Sequence, residues 1–116
     1  MYRLYAVWTN PRPEDVEAFE RHYEEVHAPL AAAIPGLRKL VLTRTADSLG
    51  EEPSPFHRIA ELWFDDEAAL LAGAASPEGQ AAIDDAAAIQ ERFGVTLSSP
   101  AGTSVEHPLG PVAERA

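Results

Sequence analysis

The chain has 116 residues, a formal net charge of −10 and no cysteine. That length holds one domain with one core, able to bury roughly two-thirds of the surface the unfolded chain exposes. Disulfides and thiol catalysis are excluded. The acidic balance argues against nucleic acid and anionic membrane as partners, because both call for a concentrated basic surface. The first residues lack the apolar run of a signal peptide, and no segment has the length of a transmembrane helix, so a cytoplasmic location is the expectation.

Residues 2 to 9 alternate and carry three aromatics, which predicts a first strand. Asn10-Pro11-Arg12-Pro13 punctuates it. Glu14 and Asp15 then suit the first turn of a helix that runs to about residue 33 and is closed by Pro35-Gly36. Within it Val16, Phe19, Tyr23, Val26 and Leu30 recur at intervals of three and four, which predicts a buried stripe with His27 at its edge. Pro29 lacks the donor for a bond back to residue 25 and is expected to disturb the helix just after His27. Residues 37 to 45 read as a second strand, 46 to 55 as a polar loop, and 56 to 64 as a third strand with large apolar side chains on both faces.

Asp65-Asp66-Glu67 opens a short helix, and Ser76-Pro77-Glu78 opens another that reaches about Arg92, with Ser and Pro in the favoured cap and first-turn positions. Residues 95 to 105 contain the last strand. The domain is taken as 1 to 108, followed by a tail from 109 to 116 beside an exposed His107. The order β-α-β-β-α(α)-β is the split arrangement of α+β, ferredoxin-like folds, an antiparallel sheet with helices on one face. Alternation puts Tyr2, Leu4, Ala6 and Trp8 on one face of the first strand. On the third it groups His57, Ile59, Glu61 and Trp63 opposite Arg58, Ala60, Leu62 and Phe64. Neither face is purely polar, so a partner subunit on the bare face is expected.

Tyr23 and His27 are four apart, on one helix face, and make a candidate acid/base pair. A neutral imidazole removes a proton beside a carbonyl, and a phenol donates to the enolate oxygen as its charge develops. Trp8, Phe19, Trp63 and Phe64 are candidate pocket walls, suited to an aromatic or otherwise hydrophobic substrate, and His57 and Glu61 are further candidates whose face the pattern leaves open. The bland alternative is a solvated or structural histidine beside a core stripe. No metal site is expected: His22 and His27 are five apart, about 140° around a regular helix, and a His27 and His57 pair lacks a third ligand. No glycine-rich nucleotide cradle is present, so no cofactor is expected. Asp84-Asp85 reads as a solvated acidic face.

The run from Tyr23 through His27, Pro29 and Leu30 to Pro35-Gly36 resembles the Tyr-x-x-x-His-x-Pro-Leu and Pro-Gly signature of the EthD family, within the dimeric α+β barrel superfamily. Residues 59 to 66, Ala69-Leu70 and Ser76-Pro77-Glu78 are similar to that family's third strand and following helices, and Asp85 falls where its members often carry an acid. The resemblance spans about residues 2 to 106. It implies a homodimer with sheets packed face to face and a small pocket between sheet and helices in each subunit. It implies no single reaction, since neighbouring families include lactone isomerases, polyketide cyclases and cofactor-free monooxygenases. Two classes of reading follow: a cofactor-independent enzyme acting by proton transfer on a small hydrophobic carbonyl, lactone or polyketide-like compound, or oxidising an electron-rich aromatic, and a noncatalytic dimeric module that binds a small molecule or a partner protein.

Overall fold

The computed structural model describes residues 1–111. Its strands are β1 (Tyr2–Thr9), β2 (Lys39–Arg44), β3 (Phe56–Phe64), β4 (Leu97–Ser98) and β5 (Ala101–Thr103). They form one antiparallel sheet in the order β2-β3-β1-β4, with β5 also pairing with β1. The helices are α1 (Val16–His22), α2 (Ala28–Ala32), α3 (Glu67–Ala75) and α4 (Pro77–Phe93), with a five-residue π turn (Tyr23–His27) joining α1 to α2. This is the expected α+β, ferredoxin-like architecture, and the sheet of the single chain stays open rather than closing into a barrel.

The register explains where the core lies. Leu40, Leu62 and Leu4 sit side by side across three strands, as do Leu42, Ala60 and Ala6, and this face carries the helices. The opposite face stacks Lys39, Trp63 and Arg3 in one row and Val41, Glu61 and Tyr5 in the next. Strict alternation fails at one place. Trp8 pairs with Arg58 but Thr9 pairs with Phe56, so His57 is the extra residue of a bulge. The bulge turns His57 towards α1, where its Nε2 lies 2.9 Å from Glu20, and the expected sharing of a face with Glu61 and Trp63 is corrected. The last strand divides into two short pieces around Ser99-Pro100, because proline offers no amide to the ladder.

Helix starts follow the chemistry of the caps. Asp66 accepts from the amide of Ala69, and Ser76 accepts from the amide of Gly79 with Pro77 in the first turn behind it. At the crossing of α3 and α4 a Cβ on Gly79 would run into the Gly73 carbonyl oxygen, so only glycine permits this approach. Gly94, with φ of 65°, ends α4 in the left-handed conformation.

The helix before β2 departs from the predicted stripe. The amide of Ala28 bonds the carbonyl of Tyr23, five residues back, which inserts one extra residue into the turn. Everything beyond it is rotated. Val26, expected inside, is 41 % exposed, and His27 takes the inward position instead. The disturbance therefore precedes Pro29 rather than following His27: α-helix resumes at Ala28, and Pro29 occupies its first turn.

Two buried clusters form the interior. Trp8, Phe19, Tyr23, Ala86, Ile89, Phe93 and Val95 make one between α1, α4 and β1, and Ala60, Leu62 and Phe64 centre the other. Beyond β5, residues 104–111 carry no regular structure, His107 bonds the Pro108 carbonyl at the surface, and the part of the predicted tail from 112 to 116 lies outside the described residues.

Candidate active site

Between the two clusters, sheet and helices enclose a cavity of about 140 Å³ that is open on one side. Leu4, Ala6 and Trp8 of β1, Ala60, Leu62 and Phe64 of β3, and Ala82 and Ala86 of α4 contribute to its wall, with Tyr23 and His27 at the π turn. The structure thus brings four predicted residues together: His27, Tyr23, Trp8 and Phe64. Phe19, His57, Glu61 and Trp63 are not among the walls. Phe19 stacks on Tyr23, with ring centres 5.8 Å apart, within the solid core. Glu61 pairs with Arg3 at 3.3 Å on the open face, where the Arg3 guanidinium also lies 3.7 Å from the centre of the Trp63 ring.

One carboxylate organises the polar end of the cavity. Asp85 Oδ2 lies 2.9 Å from His27 Nδ1, and its Oδ1 lies 2.9 Å from His22 Nε2. His22 and His27 therefore meet on one side of the helix, against the 140° separation of a regular helix. The π turn is the reason: its extra residue brings positions five apart into line. With Asp85 ionised, His27 Nδ1 carries the hydrogen and donates, which leaves Nε2 with a lone pair. Burial holds His27 below the usual imidazole range, and the hydrogen bond and charge of Asp85 offset only part of that depression. The ring is consequently neutral near pH 7 and competent to accept a proton.

Tyr23 is buried beside it, the ring centres 5.8 Å apart. Burial pushes its hydroxyl up to about 12, so it stays protonated and acts as a donor. Trp8 stands edge-on to both, 5.5 Å from His27 and 6.5 Å from Tyr23 between ring centres. Behind Tyr23 lies a second ionic cluster. Glu20 accepts from Arg58 Nε at 3.1 Å and Nη2 at 2.6 Å as well as from His57, while Arg58 also reaches Glu24 at 3.1 Å. Burial works against the Glu20 charge, but the bonds from Arg58 and His57 outweigh it and hold the carboxyl below its ordinary value.

Sequence reasoning missed His22 and Asp85 as parts of this site. A signal for Asp85 was present: it follows Ala82 by three and precedes Ile89 by four, which puts it on the buried face of α4, whereas Asp84 is exposed and accepts from Gln80. The signal for His22 was absent, because only the π turn brings it round. Among the described residues no group of three or more histidines and acids is arranged to hold a metal ion.

The architecture defines a ferredoxin-like α+β protein with an apolar cavity capped by a histidine held on a carboxylate. The EthD domain matches residues 11–91, and the chain belongs to the EthD family. It is 37% identical over 87 residues to an uncharacterized 11.0 kDa protein of the thcB-thcC intergenic region of Rhodococcus erythropolis, covering 75% of this chain and 82% of that one. The crystal structure of an ethyl tert-butyl ether D (EthD) family protein from Bacillus halodurans matches with a TM-score of 0.80 and 32% identity, over 90% of this chain and 99% of that one. SnoaB from Streptomyces nogalater, described as a cofactor-independent oxygenase, shares the fold at a TM-score of 0.62 and 18% identity, over 91% of this chain and 95% of that one.

Proposed function

We propose that the protein is a cofactor-independent enzyme that moves a proton on a small hydrophobic carbonyl, lactone or polyketide-like compound. One observation carries the reading: His27 is oriented by Asp85 through Nδ1 and, with Tyr23, supplies polar groups to a cavity whose other walls are predominantly apolar, with Ser99 at the edge of the same lining. His27 Nε2 takes a proton from the carbon next to the carbonyl, and the Tyr23 hydroxyl donates to the enolate oxygen. The imidazolium then returns the proton at another position, which is an isomerisation, or the carbanion attacks a second carbonyl, which is a cyclisation. Trp8 and Phe64 are the aromatic walls that hold the substrate. An oxygenase of electron-rich aromatics would share the first step and differ in consuming dioxygen; the fold shared with SnoaB favours keeping it as the second reading.

The same reading makes the protein a homodimer through the helix-free sheet face. Tyr5, Val7, Val41, Ile59 and Trp63 are only half-buried there, and the Arg3 Nε and Trp63 Nε1 donors are buried without a partner among the described residues. An obligate interface on this face would bury more than about 2,000 Å² in total, which light scattering after size exclusion tests directly. Among the described residues no helix is long and apolar enough to cross a membrane.

Exchange of substrate α-hydrogens for deuterium tests the chemistry, with β-keto, lactone and aromatic polyketide compounds offered and oxygen uptake followed in parallel. Exchange is expected with wild type and lost with His27→Ala. Tyr23→Phe is expected to slow it less, because the ring and the base both remain. Exchange at the wild-type rate in His27→Ala sinks the assignment, and oxygen uptake coupled to turnover selects the second reading.

A further inference from the structure

His22, the last residue of α1, stands outside the cavity wall, and the proton transfer assigned to His27 and Tyr23 leaves it unused. Its side chain is nonetheless mostly covered, 22 % exposed, and Nε2 lies 2.9 Å from Asp85 Oδ1 and 3.1 Å from Oδ2. It reaches that carboxylate only because the π turn brings it into line with His27.

Asp85 stands in the middle of α4, where the backbone amides are spent on the helix, so within the protein its oxygens depend on side chains. Among the described residues those side chains are His22 and His27. A carboxylate turns over a broad range about its Cβ–Cγ bond, so one bond from His27 would fix an oxygen and leave the group free to swing. The second imidazole closes that freedom. Other charges near the turn are occupied elsewhere: Glu20, Glu24 and Arg58 satisfy one another behind Tyr23, and β1 brings the uncharged Trp8. A second imidazolium on the same carboxylate would repel the one that forms at His27, and a charge on His22 lowers the proton affinity of His27, so His22 is useful here as a neutral donor.

We infer that His22 is a positioning residue: its neutral Nε2–H clamps the Asp85 carboxylate, and through it holds His27 in the one tautomer that has Nδ1–H on Asp85 and Nε2 bare. The inference rests on the reading of His27 as the base, but the tautomer is readable without a substrate.

Long-range ¹H–¹⁵N spectra of the imidazole rings provide the test, taken on the whole protein at about pH 8, where an ordinary imidazole is neutral. The protein has four histidines, and His22 and His27 are assigned by the signals that disappear in His22→Phe and in His27→Gln. In the wild type His27 is expected to carry its hydrogen on Nδ1 and His22 on Nε2. His22→Phe keeps the bulk of the ring without a donor, and is expected to spread His27 over both tautomers while the amide spectrum keeps its folded dispersion. His22→Gln, whose side-chain amide supplies a donor near the place of Nε2, is expected to restore the single tautomer. The inference is overturned if His22 Nε2 is bare in the wild type, a result that needs no variant to fold. It is equally overturned if His27 stays wholly Nδ1–H in His22→Phe, or if His22→Gln behaves as His22→Phe does.

Deuterium exchange separates this from the catalytic reading. With an exchanging substrate, His22→Phe is expected to slow exchange at saturation by about tenfold, with half-saturation unchanged because His22 lines no wall. Exchange lost in His27→Ala but at the wild-type rate in His22→Phe overturns the inference and leaves the proposed function standing. A His27 tautomer that depends on His22, with no exchange of any compound offered, counts against the base and leaves the clamp standing.

Discussion

Asp85 holds two histidines and Glu20 one, each through a 2.9 Å hydrogen bond, yet of the three only His27, on Asp85, lines the cavity. Around Glu20 the negative charge meets Arg58 in two hydrogen bonds, with Arg44 at 3.5 Å and Glu24 completing the network. His57 there adds one more donor to a saturated carboxylate. Among the described residues the side-chain partners of Asp85 are two imidazoles and no guanidinium. The same pair of residue types therefore supports different work. A carboxylate matched by arginine consolidates packing, and in the proposed function a carboxylate matched only by imidazole orients a base.

The largest expected effect breaks the comparison at its functional side. His27→Gln should lower turnover by about 10²- to 10⁴-fold, the usual contribution of a positioned general base, and leave the circular-dichroism spectrum and oligomeric state unchanged. His57→Gln should leave turnover near wild type, because His57 lies outside the cavity. Equal losses in the two variants would erase the distinction between the clusters.

Glu20→Ala is the structural counterpart. It leaves Arg58 buried with Glu24 as its remaining partner, and should cost about 3 kcal/mol in a urea or thermal melt, the low end for breaking a buried ion pair. Asp85→Asn should cost less stability but shift the acid limb of the pH–rate profile downward, since Asp85 raises the His27 value that burial depresses.

The pH dependence of stability sharpens the contrast further. His27 in the folded protein lies below the unfolded value of about 6.5, so the unfolded chain takes up its proton first and stability falls as pH drops through that value. Glu20 also lies below its unfolded value, so its contribution is complete above about pH 4.3 and is lost as pH falls further. Acid melts should show a first loss that His27→Gln removes and a later one that Glu20→Ala removes. The smallest effect is expected at Val26→Ser. Val26 is 41 % exposed, and the change should stay within about 0.5 kcal/mol, where a buried stripe position would lose far more.

The elements themselves were legible in the chain. Alternation located β1 and β3, Ser76-Pro77 and Asp66 marked the starts of α4 and α3, and the strand and helix order specified the α+β, ferredoxin-like fold. The motif of Tyr23 and His27 pointed to the residues that now meet at the cavity. These are local properties, set by period, caps and residue type.

What escaped the sequence reading are two single-residue irregularities, each of which overturned a face assignment. The bulge at His57 turned that side chain to Glu20, and the π turn at Tyr23–His27 exposed Val26, brought His27 inward and aligned His22 with it on Asp85. Neither leaves a mark in hydrophobic periodicity, because an inserted residue is tolerated only where distant groups repay it: Glu20 and Arg58 at the bulge, Asp85 of α4 at the turn. Local sequence determined which elements form. Contacts between residues some sixty positions apart, such as His27 with Asp85, decided which side chains line the cavity, since the partner that holds the widened turn in place sits on another helix, α4.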